Sequence, residues 1–210
     1  MKILNNVAIY PRISSLTIHR LFILKEQMMI DTPYGKVSDD IFKRAQKIKL
    51  FVLDVDGVFS DGRIYLGNDG EELKAFHTKD GFGLKAIMAQ GIEVAIITGR
   101  QSNIVKNRMT ALGIKHIFQG KDDKLTVYNA LLQKLALNPD QTAYIGDDVV
   151  DLPVMRTAGL GIAVNDAHPL VIQKADLVTT VKGGFGAVRE ICDLFLQCHG
   201  KLFITEGKSE

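Results

Sequence analysis

The sequence predicts a doubly wound α/β fold, with a mainly parallel sheet covered by helices on both faces. From Lys49 onward, short and nearly continuous apolar runs alternate with longer amphipathic runs, which is typical of parallel strands joined by helices. The predicted strands are 50–55, 92–98, 114–118, 142–145, 160–164 and 176–178. The predicted helices are 83–90, 102–112, 124–135, 152–158, 169–174 and 185–197. Such a fold binds its ligands at the carboxyl ends of the strands.

Residues 63–77 interrupt this alternation. Asn68-Asp69-Gly70 separates two runs that carry apolar side chains, which predicts a β-hairpin after the first strand. The apolar side chains concerned are Ile64, Leu66, Leu73 and Phe76. Because a two-stranded hairpin cannot bury them alone, we expect them to pack on the parent domain or on another subunit.

The composition is that of an ordinary globular chain, with 46% hydrophobic and 24% charged residues. The formal net charge of +2 implies no strong attraction to nucleic acid or to a membrane surface. Cys192 and Cys198 lie on different faces of an apparent helix, too far apart to form a disulfide bond. We therefore expect reduced thiols and a cytoplasmic protein.

Residues 1–30 differ from the rest of the chain and predict an N-terminal extension to a main domain at 31–200, with a C-terminal tail at 201–210. The longest apolar run of the extension, 21–24, is too short for a membrane span or a signal-peptide core. The extension is interpreted as a disordered tail or as the product of an upstream start codon, with Met28 or Met29 as the true start. A targeting or partner-binding helix is the alternative.

Acidic residues cluster where the predicted strands end. Asp54 and Asp56 lie two apart in the first strand and are expected to share one face of it. Asp147 and Asp148 follow the strand 142–145, with Asp151 three residues later. In a parallel sheet these side chains meet at one edge, together with Thr98 and Lys124. Taken singly, Asp148 and Asp151 are equally well explained as helix caps.

This combination of side chains suits phosphoryl transfer. Asp54 lies in an apolar run, where a carboxylate is rarely buried without a partner. Several carboxylates in one cleft require a cation, and oxygen ligands without a nearby His or Cys favour Mg²⁺. Lys124 and the Thr98 hydroxyl would then donate to phosphate oxygens. A carboxylate nucleophile would divide the hydrolysis into two easier steps.

The chain resembles the haloacid dehalogenase-like phosphatases over about residues 49–201. Four groups of residues match the motifs of that family in order, namely Asp54-Val55-Asp56-Gly57-Val58, Thr98-Gly99-Arg100, Lys124, and Gly146-Asp147-Asp148 with Asp151. The resemblance implies that Asp54 is the nucleophile and that Asp56 is the general acid and then the general base. It also implies that Thr98 and Lys124 bind the phosphate.

The same resemblance implies a magnesium site. The metal would be held by Asp54, Asp147 and the backbone carbonyl of Asp56, with Asp148 and Asp151 supporting the metal shell.

Further segments resemble the 3-deoxy-D-manno-octulosonate 8-phosphate phosphatase family, namely Phe59-Ser60-Asp61-Gly62-Arg63-Ile64-Tyr65, His77-Thr78-Lys79-Asp80-Gly81, Asp166-Ala167-His168-Pro169 and Gly183-Gly184-Phe185-Gly186-Ala187-Val188-Arg189-Glu190. That family has no cap domain, and no gap between the motifs of this chain could hold one. The resemblance implies a homotetramer in which neighbouring subunits cover the open site through the hairpin.

The resemblance also implies a set of substrate-binding residues for a sugar acid phosphate. The set is Asp56, His77, Thr78, Lys79, Asp80, Gly81, Lys85, Arg100, Arg108 and Lys124. An Arg offers a bidentate fork for the substrate carboxylate, although any one of the basic residues could equally be a solvated helix charge.

The leading hypothesis is Mg²⁺-dependent hydrolysis of 3-deoxy-D-manno-octulosonate 8-phosphate, a step toward lipopolysaccharide. The alternative within the superfamily is a nonulosonate 9-phosphate phosphatase or a broad sugar phosphatase. A phosphotransferase is also open, because an acceptor other than water can attack an aspartyl-phosphate. A non-catalytic scaffold is disfavoured by the intact Asp54, Asp56, Lys124 and Asp147.

Overall fold

The computed structural model describes residues 28–202. Residues 1–27 of the predicted extension and 203–210 of the predicted tail lie outside the described residues. The described part begins with an antiparallel hairpin of β1 (Met29–Thr32) and β2 (Gly35–Ser38), followed by α1 (Asp39–Ala45). No helix or strand was predicted here from the sequence. The Ser38 side chain caps α1 by accepting the Ile41 N–H.

The central sheet has six parallel strands, which confirms the predicted fold class. The remaining strands are β3 (Leu50–Leu53), β4 (Tyr65–Leu66), β5 (Glu72–Leu73), β6 (Glu93–Ile97), β7 (His116–Phe118), β8 (Thr142–Gly146), β9 (Leu160–Ala163) and β10 (Leu177–Val178). Their order across the sheet is β10-β9-β8-β3-β6-β7. The order reverses at β3, so the carboxyl end of β3 is the point where this fold class places its ligands.

The six predicted helices are all present. They are α2 (Thr78–Ala89), α3 (Asn103–Ala111), α4 (Lys124–Leu135), α5 (Leu152–Thr157), α6 (Pro169–Ile172) and α7 (Ala187–Cys198). Helix α2 begins at Thr78 rather than at residue 83, because the His77 imidazole caps it by accepting the Lys79 N–H. Gly81 and Gly83 in its first turns lie in close contact with Arg108 and with α7, respectively.

The prediction that Asp54 and Asp56 share one face of the first strand is wrong, because β3 ends at Leu53. Asp54 still continues the sheet through its N–H, which donates to Ile145 O. The chain then turns sharply, since the Val55 carbonyl accepts the N–H groups of Val58, Phe59 and Ser60. Asp56 therefore lies in the turn and not in the strand.

Strands β4 and β5 form the predicted hairpin, with Tyr65 opposite Leu73. Within one chain it buries only part of its apolar surface. Phe76 packs on the buried Phe59 with ring centroids 5.6 Å apart, whereas Leu66 is 72% exposed and Leu73 is 53% exposed. Packing on the parent domain therefore buries only some of the apolar side chains of the hairpin, and Leu66 and Leu73 stay exposed within one chain.

Helices cover the sheet on both faces, and α7 is the most buried of them. Phe51 of β3 meets Phe195 of α7 edge to face at 5.2 Å. Cys192 and Cys198 of the same helix are buried and unpaired, as predicted. Among residues 28–202, no helix is long and apolar enough to cross a lipid bilayer.

Candidate active site

The predicted phosphate-site residues meet at the carboxyl edge of the sheet. Leu53 pairs with Ile96 on one side and with Ile145 on the other. Thr98 and Asp147 each lie two positions beyond those partners, whereas Asp54 lies one position beyond Leu53. The two neighbouring strands therefore place Thr98 and Asp147 on either side of the chain that leaves β3.

Lys124, the first residue of α4, reaches into this edge. Its side chain is 4% exposed, and its Nζ lies 2.7 Å from Asp151 Oδ1 and 3.0 Å from Asp54 Oδ1. Burial opposes the lysine charge, but the two carboxylates together raise the pKa of Lys124. The lysine is therefore charged at neutral pH and lies beside the predicted nucleophile.

Asp151 is fully buried and all its contacts are with protein donors. Its Oδ1 accepts the Tyr144 hydroxyl at 2.6 Å as well as the Lys124 ammonium. Its Oδ2 accepts the backbone N–H groups of Asp147 and Asp148 at 3.0 and 3.2 Å. Asp151 thus holds Lys124 in place, together with Asp147 and Asp148, which begin the acidic loop after β8 (residues 147–151). With all these donors bound, it is poorly available as a metal ligand.

Asp54 and Asp147 are the carboxylates that could hold a cation. Together with Asp151 they offer oxygen atoms within 4.8 Å of one another. Burial and repulsion from Asp151 raise the pKa of Asp54, and burial and repulsion from Asp54 raise the pKa of Asp147. Asp54 Oδ1 accepts no hydrogen bond despite its ion pair with Lys124. A hard divalent cation relieves this repulsion, so the donor set fits Mg²⁺.

Asp148 behaves as a cap. It is exposed, and its Oδ1 accepts its neighbour's N–H at 2.7 Å at the start of the 3₁₀ turn Val149–Asp151. Of the two roles that the sequence left open for Asp148, helix cap or support for the metal shell, its contacts in this structure are those of a cap.

Asp56 lies between two cations and a hydroxyl. Its Oδ1 accepts hydrogen bonds from Lys74 Nζ and, at 3.4 Å, from Ser60 Oγ. Its Oδ2 lies 3.7 Å from Arg100 Nε. The Arg100 side chain is half exposed, whereas that of Lys74 is fully buried.

The remaining predicted substrate residues divide between two regions. His77, Thr78 and Lys79 form the start of α2, where Thr78 and Lys79 are exposed. The Asp80 carboxylate turns away into the interface with α7, where Oδ1 accepts the Arg189 N–H at 2.8 Å.

Gly81 and Arg108 lie against each other. A Cβ atom at Gly81 would be 2.5 Å from Arg108 Nη2, so the glycine allows the guanidinium to pack on α2.

Lys85 does not join the cluster around Asp54 within one chain. It lines a surface cavity with Gly91 and Glu93, at the amino-terminal edge of β6. Asp54 lies at the opposite, carboxyl-terminal edge of the sheet.

Two residues of this region, Lys74 and Tyr144, were not predicted from the sequence. In the sequence Lys74 is one of several charged residues in the predicted hairpin. Its spacing of two from Phe76 places both side chains on one side of an extended segment, and this is the one sequence feature that indicates an inward direction for Lys74. Tyr144 was a strand aromatic, and nothing in the sequence indicates that its hydroxyl meets Asp151.

Known proteins of one hydrolase family are similar to this chain. A model of haloacid dehalogenase-like hydrolases matches residues 113–190. The 3-deoxy-D-manno-octulosonate 8-phosphate phosphatase of Escherichia coli strain K12 is 54% identical over 178 residues, which are 85% of this chain and 95% of that protein.

Solved structures of enzymes with that name are also similar. The Yersinia pestis enzyme has a TM-score of 0.83 at 54% identity and covers 84% of this chain and 96% of its own. The Moraxella catarrhalis enzyme, solved with magnesium, phosphate and KDO, has a TM-score of 0.77 at 47% identity, covering 78% and 94%. The chain therefore belongs to the 3-deoxy-D-manno-octulosonate 8-phosphate phosphatase family of haloacid dehalogenase-like hydrolases.

Proposed function

We propose that this protein is a Mg²⁺-dependent phosphatase that hydrolyses 3-deoxy-D-manno-octulosonate 8-phosphate to the free sugar acid and phosphate, in lipopolysaccharide biosynthesis. The observation that carries the proposal is the buried contact of Lys124 with Asp54, beside Asp147, at the carboxyl edge of the sheet. Identity of 54% along nearly the whole of an enzyme with that activity in its name supports the substrate.

In this proposal Asp54 attacks the phosphorus atom and forms an aspartyl-phosphate as the bond to the sugar oxygen breaks. Asp56 gives a proton to the departing oxygen, which leaves as an alcohol. Asp56 then takes a proton from the water that attacks the aspartyl-phosphate, so phosphate is released and Asp54 is restored.

Lys124 and the Thr98 hydroxyl bind the phosphate oxygens that do not react. Asp54, Asp147 and the backbone carbonyl of Asp56 would hold Mg²⁺, which supplies positive charge against the phosphate when bound. Asp151 keeps Lys124 in place through the 2.7 Å contact, and Asp148 keeps the shape of the acidic loop.

We further propose that substrate recognition requires a homotetramer. The start of α2 with Arg100 and Arg108 would bind the sugar acid. Lys85 lies toward the other edge of the sheet, so it would contact the substrate bound by a neighbouring subunit. Exposed apolar residues support an interface of this kind. Besides the side chains of the β4–β5 hairpin, the exposed large apolar residues of the described part are Met28, Met29, Val149, Val150, Leu170 and Phe185.

Val149 and Val150 directly follow the acidic loop. The N–H of His168 donates to Asp147 O, and Leu170 follows His168 by two residues. A neighbouring hairpin covering this rim would also exclude water from the site. The unpaired buried thiols are consistent with the proposed cytoplasmic location.

The test is phosphate release by the purified protein from a panel containing 3-deoxy-D-manno-octulosonate 8-phosphate, a nonulosonate 9-phosphate and simple sugar phosphates. We expect the octulosonate ester to have the highest kcat/KM. A higher value for the nonulosonate ester, or transfer of phosphate to an added alcohol in preference to water, would overturn the proposal.

A second arm of the same test addresses the metal. EDTA should abolish activity and Mg²⁺ should restore it. Ca²⁺ should not, because it takes more ligands at longer distances and would misplace Asp54. Full activity after exhaustive chelation would contradict the metal site.

A further inference from the structure

The β4–β5 hairpin contributes one buried charge to the turn that follows Asp54, although most of its other side chains are exposed. Lys74 directly follows β5, and its side chain has no exposed surface. Its Nζ donates to Asp56 Oδ1, with Glu72 Oε1 3.5 Å away. A buried lysine requires such partners, so its position is fixed by the carboxylate on which catalysis is proposed to depend.

The extended segment 73–76 contacts the rest of the domain through alternate side chains. Lys74 and Phe76 alternate inward, onto Asp56 and Phe59 respectively, while Leu73 and Ala75 are exposed. Both anchors lie in the turn that follows Asp54, within six residues of chain. The hairpin is therefore attached to this turn by one charged contact and one aromatic contact.

The two cations beside Asp56 differ in what they can do. Arg100 is half exposed and lies 3.7 Å from Oδ2, where it is available to a ligand. Lys74 is enclosed and hydrogen-bonds Oδ1, so it can fix the orientation of the carboxylate without reaching solvent. With Oδ1 held by Lys74 and Ser60, Oδ2 is the oxygen that remains for proton transfer.

We propose that Lys74 is a positioning residue that holds the Asp56 carboxylate in the orientation from which it protonates the leaving oxygen of the substrate. The proposal rests on the proposed function and deepens it. Lys74 itself contacts neither the phosphate nor the sugar. Loss of Lys74 should therefore slow reactions that need a proton on the leaving group and spare those that do not.

The test measures kcat/KM of Lys74→Met with three phosphate esters, since kcat/KM reports the steps up to departure of the leaving group. The octulosonate ester and ethyl phosphate both have alcohol leaving groups that need protonation, whereas p-nitrophenyl phosphate does not. We expect Lys74→Met to lower kcat/KM at least ~10-fold for the two alkyl esters and less than about threefold for the aryl ester. Lys74→Arg should recover part of the alkyl-ester activity.

Other patterns would overturn the proposal. Equal losses with all three esters would indicate a purely structural role, a loss confined to the octulosonate ester would indicate substrate binding, and no loss would exclude any role. Lys36→Met, at an exposed ion pair with Asp31, is the charge-matched control and should leave all three values unchanged.

Circular dichroism checks the fold of each variant, and Lys74→Gln replaces Lys74→Met if the latter does not fold. Wild-type enzyme that hydrolyses ethyl phosphate but not the octulosonate ester would contradict the proposed substrate. The comparison of ethyl with p-nitrophenyl phosphate would still test Lys74 in that case.

Discussion

The Asp147 carboxylate lies so close to the backbone of Gly57 that a Cβ atom at position 57 would be 2.1 Å from Asp147 Oδ2. Gly57 also has φ of +88°, a conformation that favours glycine. The second glycine of the loop, Gly62, has φ of +76°, but a Cβ there would meet nothing nearer than 3.4 Å.

We expect Gly57→Ala to displace Asp147 and to weaken Mg²⁺ activation about 10- to 100-fold. Magnesium titration of phosphatase activity measures the effect. Gly62→Ala imposes comparable backbone strain without the contact and is the control. Equal magnesium dependence in the two variants would mean that the Gly57–Asp147 contact does not position the metal ligand.

Asp54→Asn should abolish turnover while the fold survives, because an amide cannot attack phosphorus at a useful rate. The expected loss in kcat is about 10⁴-fold or more, measured by phosphate release with circular dichroism of the same sample. Asp31→Asn on the exposed first hairpin serves as the control. Activity of Asp54→Asn within tenfold of wild type would rule out its role as nucleophile.

Asp151→Asn should destabilise the protein by about 1–3 kcal/mol, because an amide cannot accept from all four donors that meet the two carboxylate oxygens. Activity should also fall, since Lys124 loses its hydrogen-bonded partner. Denaturant unfolding measures the first effect. Asp148→Asn makes the same chemical change three residues away at an exposed cap, where Asn caps as well as Asp. A free energy of unfolding equally reduced in both variants would contradict the network.

The double variant Leu66→Asp with Leu73→Asp should dissociate the proposed tetramer, because it places charges on both faces of an exposed apolar hairpin. It should also lower kcat/KM for the octulosonate ester more than for p-nitrophenyl phosphate. Light scattering and paired kinetics measure both effects, with Met29→Asp on the exposed first hairpin as control. A wild-type protein that is monomeric at micromolar concentration, yet fully active and selective, would contradict the assembly.

Asp80→Asn should change the pH dependence of stability. Burial raises the pKa of Asp80 from 3.8 to about 6, so the folded protein binds this proton more tightly than the unfolded chain. The resulting stabilisation is fully present below pH 3.8 and is lost as the pH rises through about 6.

An Asn mimics the protonated form at every pH. The free energy of unfolding of Asp80→Asn relative to wild type should therefore rise by up to about 3 kcal/mol between pH 4 and pH 7. Denaturant unfolding at several pH values measures this difference. Asp39→Asn is the control, and a difference that does not depend on pH would show that Asp80 is not the group responsible.

The sequence by itself determined the parallel sheet and the residues that meet at its carboxyl edge. Apolar runs separated by helical runs permit few other topologies, and strand ends in such a sheet meet at one edge. Asp54, Thr98 and Asp147 come at or just after the ends of predicted strands, and Lys124 comes at the start of a predicted helix. These positions were therefore enough to predict that the four residues lie together.

Only the tertiary structure decided which atoms meet. Lys74 reaches Asp56 from a hairpin eighteen positions away, and Tyr144 meets Asp151 across a turn. The Asp80 carboxylate turns toward α7, which follows it by more than a hundred residues. Such contacts depend on how a side chain is directed once distant segments have packed, and neither hydrophobic periodicity nor motif spacing records that direction.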